Sequence, residues 1–233
     1  MIVALNNKCN LNKEEFTIYQ QQLQEIKTDI DLILCPSNIY LDKVNLTNMK
    51  LGAQNVSDKE CGAYTGEVSA SQLKSLDVLY CLVGHSERRL YQQETNEQIK
   101  DKVKRLLSCN IIPILCIGET EQERNSHQEK QVIEKDLKEV LQELTPDEQQ
   151  KIIIAYEPIW SIGTGIIPTT QEISEIIEFI KTKYPHNKVL YGGSANEKNI
   201  DELKSIPNLD GYLVGGLSLK PEQLKIFLKK LKN

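Results

Sequence analysis

Alternation constrains this chain more than any other feature. From end to end, short apolar and β-branched runs give way to amphipathic stretches, with a polar or glycine-bearing break after each run. A short continuous apolar run closed by a breaker reads as a strand buried on both faces. Strands are expected at 2–5, 32–35, 50–54, 78–84, 111–117, 152–156, 189–191 and 211–214. Between them the helical period predicts helices over 13–27, 37–46, 69–76, 95–108, 119–144, 171–184, 197–205 and 221–231. Ser69 is a candidate N-cap, and Phe16, Ile18, Tyr19, Leu23 and Ile26 are the apolar positions of the first helix.

Eight strand–helix pairs in 233 residues is about 29 residues per pair, the size of one βαβ unit. Regular alternation of this kind dictates a parallel sheet with right-handed crossovers. No composition shift or linker divides the chain, so residues 1–233 are expected to form a single α/β catalytic domain, a closed (β/α)8 barrel. An open, doubly wound sheet is the competing arrangement. It usually carries Gly-x-Gly-x-x-Gly after its first strand, where this chain has Asn6-Asn7-Lys8-Cys9-Asn10.

Composition narrows the function classes. A hydrophobic content of 39% supports a real core, and a net charge of −5 offers no basic footprint for nucleic acid. No apolar run approaches the roughly 20 residues that a membrane span needs. Met1-Ile2-Val3-Ala4-Leu5 reads as a strand, with no basic region or cleavage site of a signal peptide. The six cysteines are scattered without a C-x-x-C pair, which argues against zinc or thioredoxin chemistry. Cys35, Cys81, Cys109 and Cys116 lie in or beside apolar runs; free thiols and a cytoplasmic location are expected.

In a barrel the chemistry gathers at the carboxyl ends of the strands. Glu157 stands there after the sixth strand, followed by the apolar loop Pro158, Ile159, Trp160, Ser161, Ile162, Gly163 and Thr164. That pattern suits a general base under a water-excluding lid, or else a strand-end carboxylate paired with a surface lysine. Gly192-Gly193-Ser194 and Gly215-Gly216 follow strands seven and eight, where this barrel class binds phosphate; tight turns needing positive φ are the alternative. His85 follows strand four, and no second histidine or carboxylate cluster accompanies it as a metal site would require. Lys8 is the one lysine at a strand top, either a Schiff-base amine or a fixed positive charge. Lys50, Lys151 and Lys188 fall at the opposite end and read as contributors to stability. One carboxylate, one imidazole, one ammonium, a phosphate cradle and a lid suit proton abstraction beside a carbonyl in a small phosphorylated substrate, with no cofactor or metal.

These residues resemble the triosephosphate isomerase family along the whole chain. The resemblance is carried by Asn6-x-Lys8; Gly52-Ala53-Gln54-Asn55; Gly62-Ala63-Tyr64-Thr65-Gly66-Glu67; Gly84-His85-Ser86-Glu87-Arg88-Arg89; Cys116-Ile117-Gly118-Glu119; Ala155 to Gly165; Tyr191-Gly192-Gly193-Ser194; and Asp210 to Gly216. It implies a single TIM barrel that interconverts dihydroxyacetone phosphate and D-glyceraldehyde 3-phosphate through an enediolate, in glycolysis and gluconeogenesis. By the same resemblance Glu157 is the base, His85 the electrophile, and Asn6 and Lys8 bind substrate and offset negative charge. Gly163, Ser194, Gly215 and Gly216 match the phosphate ligands, Glu87 matches a carboxylate behind the site, and Pro158 to Thr164 match the closing loop. The family is mostly homodimeric, and Thr65 matches the residue that reaches into the partner.

The departures are local. Asn7 stands where the family usually has a bulky aromatic, and Cys9 where it has a larger apolar residue; both are expected to weaken the docking of the partner's loop. Ile166-Ile167-Pro168 replaces a lysine and small residues, which is expected to stiffen the second hinge. Leu217 replaces a small residue and is expected to crowd the phosphate end. Two other functions compete: a Schiff-base aldolase built on Lys8, and a non-catalytic binder of phosphorylated metabolites.

Overall fold

The computed structural model describes residues 1–161 and 167–232. Its strands are β1 (Ile2–Asn6), β2 (Asp31–Cys35), β3 (Lys50–Ala53), β4 (Tyr80–Val83), β5 (Ile112–Ile117), β6 (Ile153–Tyr156), β7 (Val189–Tyr191) and β8 (Gly211–Val214). Each pairs in parallel with the next, and β8 pairs with β1 through Ile2 opposite Gly211. The sheet is therefore a closed barrel, and the open-sheet alternative is excluded.

The α-helices are α1 (Lys13–Gln24), α2 (Ala70–Ser75), α3 (Ser86–Gln92), α4 (Asn96–Ser108), α5 (Glu121–Asn125), α6 (Glu129–Leu141), α7 (Pro146–Lys151), α8 (Thr170–Lys183), α9 (Ile200–Leu203) and α10 (Pro221–Lys232). Local chemistry starts many of them. Asn12, Ser69, Thr95, Thr120, Thr145 and Thr169 each form a reciprocal capping box with the glutamate or glutamine three residues on. A cap of this type contributes about 1 kcal/mol by satisfying amide donors that have no partner within the helix.

Strand parity divides the core in two. Ile2 and Ala4 of β1, Ile33 and Cys35 of β2, Cys116 of β5, and Ile153 and Ala155 of β6 fill the barrel interior. The alternate residues, among them Val3, Leu5, Leu34, Ile154 and Tyr156, face the apolar stripes of the helices. Inward parity, continued one step past β6, arrives at Glu157; on β1 it ends at Asn6. The fold thus delivers two polar side chains to the carboxyl-end mouth of an otherwise apolar interior.

Four expectations need correction. Residues 37–46 do hold a short helix, but it is a 3-10 helix over Asn38–Lys43 rather than one with the 3.6-residue period. The predicted helix over 119–144 is two helices, α5 and α6, broken where His127 takes a φ of 54°. Helices α3 and α7 were not expected. Ile18, assigned to the buried face of α1, is 56% exposed.

Candidate active site

The site is a cavity of about 440 Å³ at the carboxyl ends of the strands, lined by Asn6, Lys8, His85, Glu87, Glu157, Ser194, Gly215 and Gly216 among others. Residues that lie up to 210 positions apart in sequence therefore share one wall.

Glu157 is only 2% exposed. Its amide donates to Ile117 O at 2.7 Å, extending the β5–β6 ladder by one bond and fixing the backbone. Two glycines make room for it. A Cβ on Gly118 would overlap the Glu157 carbonyl, and one on Gly192 would lie 2.8 Å from Glu157 Cγ. The carboxylate accepts from the Ser86 amide at 2.9 Å through Oε2, and Oε1 lies 3.1 Å from His85 Nε2.

His85 is the N-cap of α3, and its Nδ1 accepts from the Glu87 amide at 3.2 Å. An imidazole nitrogen that accepts from an N–H carries no proton, so the ring proton sits on Nε2 and is offered to Glu157. The same geometry makes the ring the neutral tautomer.

Lys8 has a φ of 52°, an uncommon value for a side-chain-bearing residue. Its amide bonds to Asn6 Oδ1 at 3.0 Å, and its carbonyl accepts from Ser37 Oγ and Gln54 Nε2. The ammonium lies 2.6 Å from Glu87 Oε1. It also runs past the turn after β8, where a Cβ on Gly215 would stand 3.0 Å from Lys8 Cε. Gly215 precedes the short 3-10 helix Gly216–Leu219. Leu217 is buried against the outer core while still lining the cavity.

Of the seven lid positions, Pro158, Ile159, Trp160 and Ser161 are described. Ile159–Ser161 is a 3-10 turn, and Trp160 Nε1 donates to Glu119 Oε1 at 2.7 Å. Burial raises the Glu119 carboxyl above its ordinary value against the opposing hydrogen bonds from Trp160 and Tyr156. Ile162, Gly163 and Thr164 lie outside the described residues, as do Gly165 and Ile166.

A second lobe of about 460 Å³ opens beside the first, sharing Asn6, Lys8, His85 and Glu87 and extending to Cys9, Gln54, Arg88 and Tyr91. Thr65 is exposed in the segment after β3, and Leu90 and Tyr91 are exposed at the end of α3. Cys9 lines this lobe. Asn7 does not: it is 1% exposed and turned into the protomer. Its substitution therefore falls on internal packing, because the backbone after β1 points alternate side chains to opposite sides.

Sequence reasoning missed Ser86, whose contribution is a backbone amide and leaves no mark in residue type. It also missed Lys220 and Gln223, which reach the cavity rim beside and within α10. Among the described residues, no group of three or more metal-ligating side chains occurs, and no helix is long and apolar enough to cross a membrane.

Comparison with known proteins agrees across the whole chain. The family model for triosephosphate isomerase matches residues 1–231. A triosephosphate isomerase of Amoebophilus asiaticus (strain 5a2) is 43% identical over 249 aligned positions, covering 99% of this chain and 98% of the relative. The triosephosphate isomerase of Alkaliphilus oremlandii (strain OhILAs) is 39% identical, covering 95% of this chain and 96% of the relative. That of Clostridium botulinum (strain Langeland / NCTC 10281 / Type F) is also 39% identical, with 95% of each covered.

Proposed function

The chain belongs to the triosephosphate isomerase family, and from that premise we propose how its residues interconvert dihydroxyacetone phosphate and D-glyceraldehyde 3-phosphate. Glu157 is the base that carries a proton between the two carbons. A glutamate base, a neutral histidine and a closing loop are established for this enzyme. The observation that carries the assignment to Glu157 is its carboxylate, buried at the carboxyl-end mouth and bonded to the proton-bearing nitrogen of His85.

Without substrate, Glu157 and His85 satisfy one another. Substrate binding exchanges these bonds: the carbonyl oxygen takes the His85 Nε2 proton as a hydrogen-bond donor, and the carboxylate is released toward the carbon-bound hydrogen. Negative charge then grows on the enediolate oxygens, opposite His85, the Asn6 amide and the Lys8 ammonium. Donors aimed at developing charge in a site that excludes water are each worth about 2.7–4 kcal/mol. Glu87 holds the ammonium until the substrate arrives. Ser194, Gly215 and Gly216, with Gly163 from the lid, bind the phosphate. The lid, Pro158 to Thr164, closes over the intermediate and keeps water from it.

Replacing Glu157 with Gln keeps the shape and removes the base. Turnover is expected to fall by about 10²–10⁴-fold, while a phosphorylated enediolate mimic still binds. Undiminished turnover would remove Glu157 from the mechanism.

The homodimer belongs to the same proposal. Its support is the second lobe, which opens onto the catalytic groups, and the exposed Leu90 and Tyr91 around it. Thr65 of one protomer would enter the lobe of the other. Sedimentation at decreasing concentration tests this; a monomer at micromolar protein with full activity would count against it. A cytoplasmic location fits the free thiols, and cell fractionation checks it.

A further inference from the structure

We infer that Asn7, Tyr19 and Ser218 form a positioning strut that fixes the spacing between the Lys8 ammonium and the phosphate-binding turn after β8. The inference rests on the roles proposed above for Lys8, Gly215 and Gly216, and adds three residues that touch no substrate.

The strut is a hydrogen-bond circuit in the interior of the protomer. Tyr19, on α1, donates its hydroxyl proton to Ser218 O at 2.7 Å. Ser218 donates its hydroxyl proton to Asn6 O at 3.0 Å. A carbonyl can only accept, so the directions of both bonds are set, and each hydroxyl is left with lone pairs alone. The Asn7 amide nitrogen supplies what they lack, donating to Tyr19 Oη at 2.9 Å and to Ser218 Oγ at 3.2 Å. The proton count thus admits one orientation of the Asn7 side chain. Among the described residues it leaves Asn7 Oδ1 buried and without a partner, which costs stability.

The circuit joins the two loops that must cooperate. Asn6 and Asn7 precede Lys8, whose left-handed backbone is held by the bonds already described. Ser218 lies in the short 3-10 helix after Gly215, and its own amide donates to Gly215 O at 2.9 Å. Gly215 in turn flanks the Lys8 side chain. If this turn shifts by an ångström, the phosphate shifts relative to the ammonium and to Glu157. Displacements of that size, remote from the bond changes, can cost about 100-fold in rate. Energy from phosphate binding is then no longer available to hold the reacting carbons in place.

The test compares two substrates in Tyr19→Phe, Ser218→Ala and Asn7→Leu. D-glyceraldehyde 3-phosphate engages both loops; D-glyceraldehyde, followed by proton exchange in NMR, engages only the first. Each variant is expected to lose about 10- to 100-fold in kcat/KM with the phosphorylated substrate and to change by less than about twofold with the truncated one. Inhibition by inorganic phosphate should weaken in parallel. Equal losses on both substrates, or none on either, would overturn the strut. A wild-type protein that shows no preference for the phosphorylated substrate would instead overturn the phosphate site itself. If Asn7→Leu does not fold, Tyr19→Phe decides the matter, since it removes one oxygen and keeps the ring against Phe16.

Discussion

Each end of the barrel has an acid–base pair, and the two behave as different objects. At the amino-end mouth Asp31 and Lys50 lie 2.7 Å apart with side chains 50% and 40% exposed. At the other end Glu94 meets Lys102 with side chains 3% and 6% exposed, and the pair is tied to Arg88 on α3 and to Asn55 after β3. The difference lies in the loops. Connections at the carboxyl end are long enough to wall off charge from water, whereas those at the amino end leave it solvated. Charge at the solvated end is cheap and chemically idle. Charge at the walled end is costly unless paired, and the same exclusion of water strengthens what Glu157, His85 and Lys8 can do.

The comparison can be broken in three places. The largest effect is expected from Glu157→Gln, a rate loss of about 10²–10⁴-fold with little change in melting temperature. Next comes Glu94→Gln, which strands the buried Lys102 ammonium. Unfolding free energy at neutral pH should drop by about 3–5 kcal/mol, measured by urea denaturation.

The pH dependence of that pair has a definite sign. Burial alone would raise the Glu94 carboxyl, but Lys102 and Arg88 outweigh it and hold the group below its ordinary 4.5. A carboxyl with a depressed folded value contributes its full stability above the ordinary value and loses it as pH falls through the lowered one. Stability of the wild type should therefore decline below pH 4.5, and Glu94→Gln should lack that part of the decline. An identical acid profile in both proteins would show that the pair is not the titrating element. The smallest effect is expected from Lys50→Gln: at most about 1 kcal/mol and unchanged kcat, because an exposed pair is screened by water and salt. A large loss there would erase the contrast between the two mouths.

Much of this was legible before any coordinates. Continuous apolar runs located all eight strands within a few residues, since parallel strands buried on both faces must be apolar along their length. The capping boxes are written in residue type. One of them, Thr145-Pro146-Asp147-Glu148, was a readable signal for α7 that the apolar period alone overlooked. The break between α5 and α6 carried no such signal. Neither glycine nor proline marks it, and the left-handed φ falls on His127, a type that takes such values more often than most but not often enough to announce a break. Ile18 is apolar but lies two residues after Phe16, off the face that Phe16, Tyr19 and Leu23 share, so its exposure was readable from the spacing. Asn7 marks a true limit, since nothing in its sequence neighbourhood indicates that its partners are Tyr19 and Ser218.

The sequence by itself determined the eightfold alternation, the end of the barrel that carries chemistry, and the identity of the groups gathered there. These follow from local periodicity and residue type, which act within a few neighbours along the chain. Tertiary structure alone decided which nitrogen of His85 holds the proton, which amide restrains Glu157, and how Asn7 joins two loops separated by some 210 residues. Each of those depends on where a donor sits within about 3 Å of an acceptor. Such a distance exists only once the barrel has closed β8 against β1.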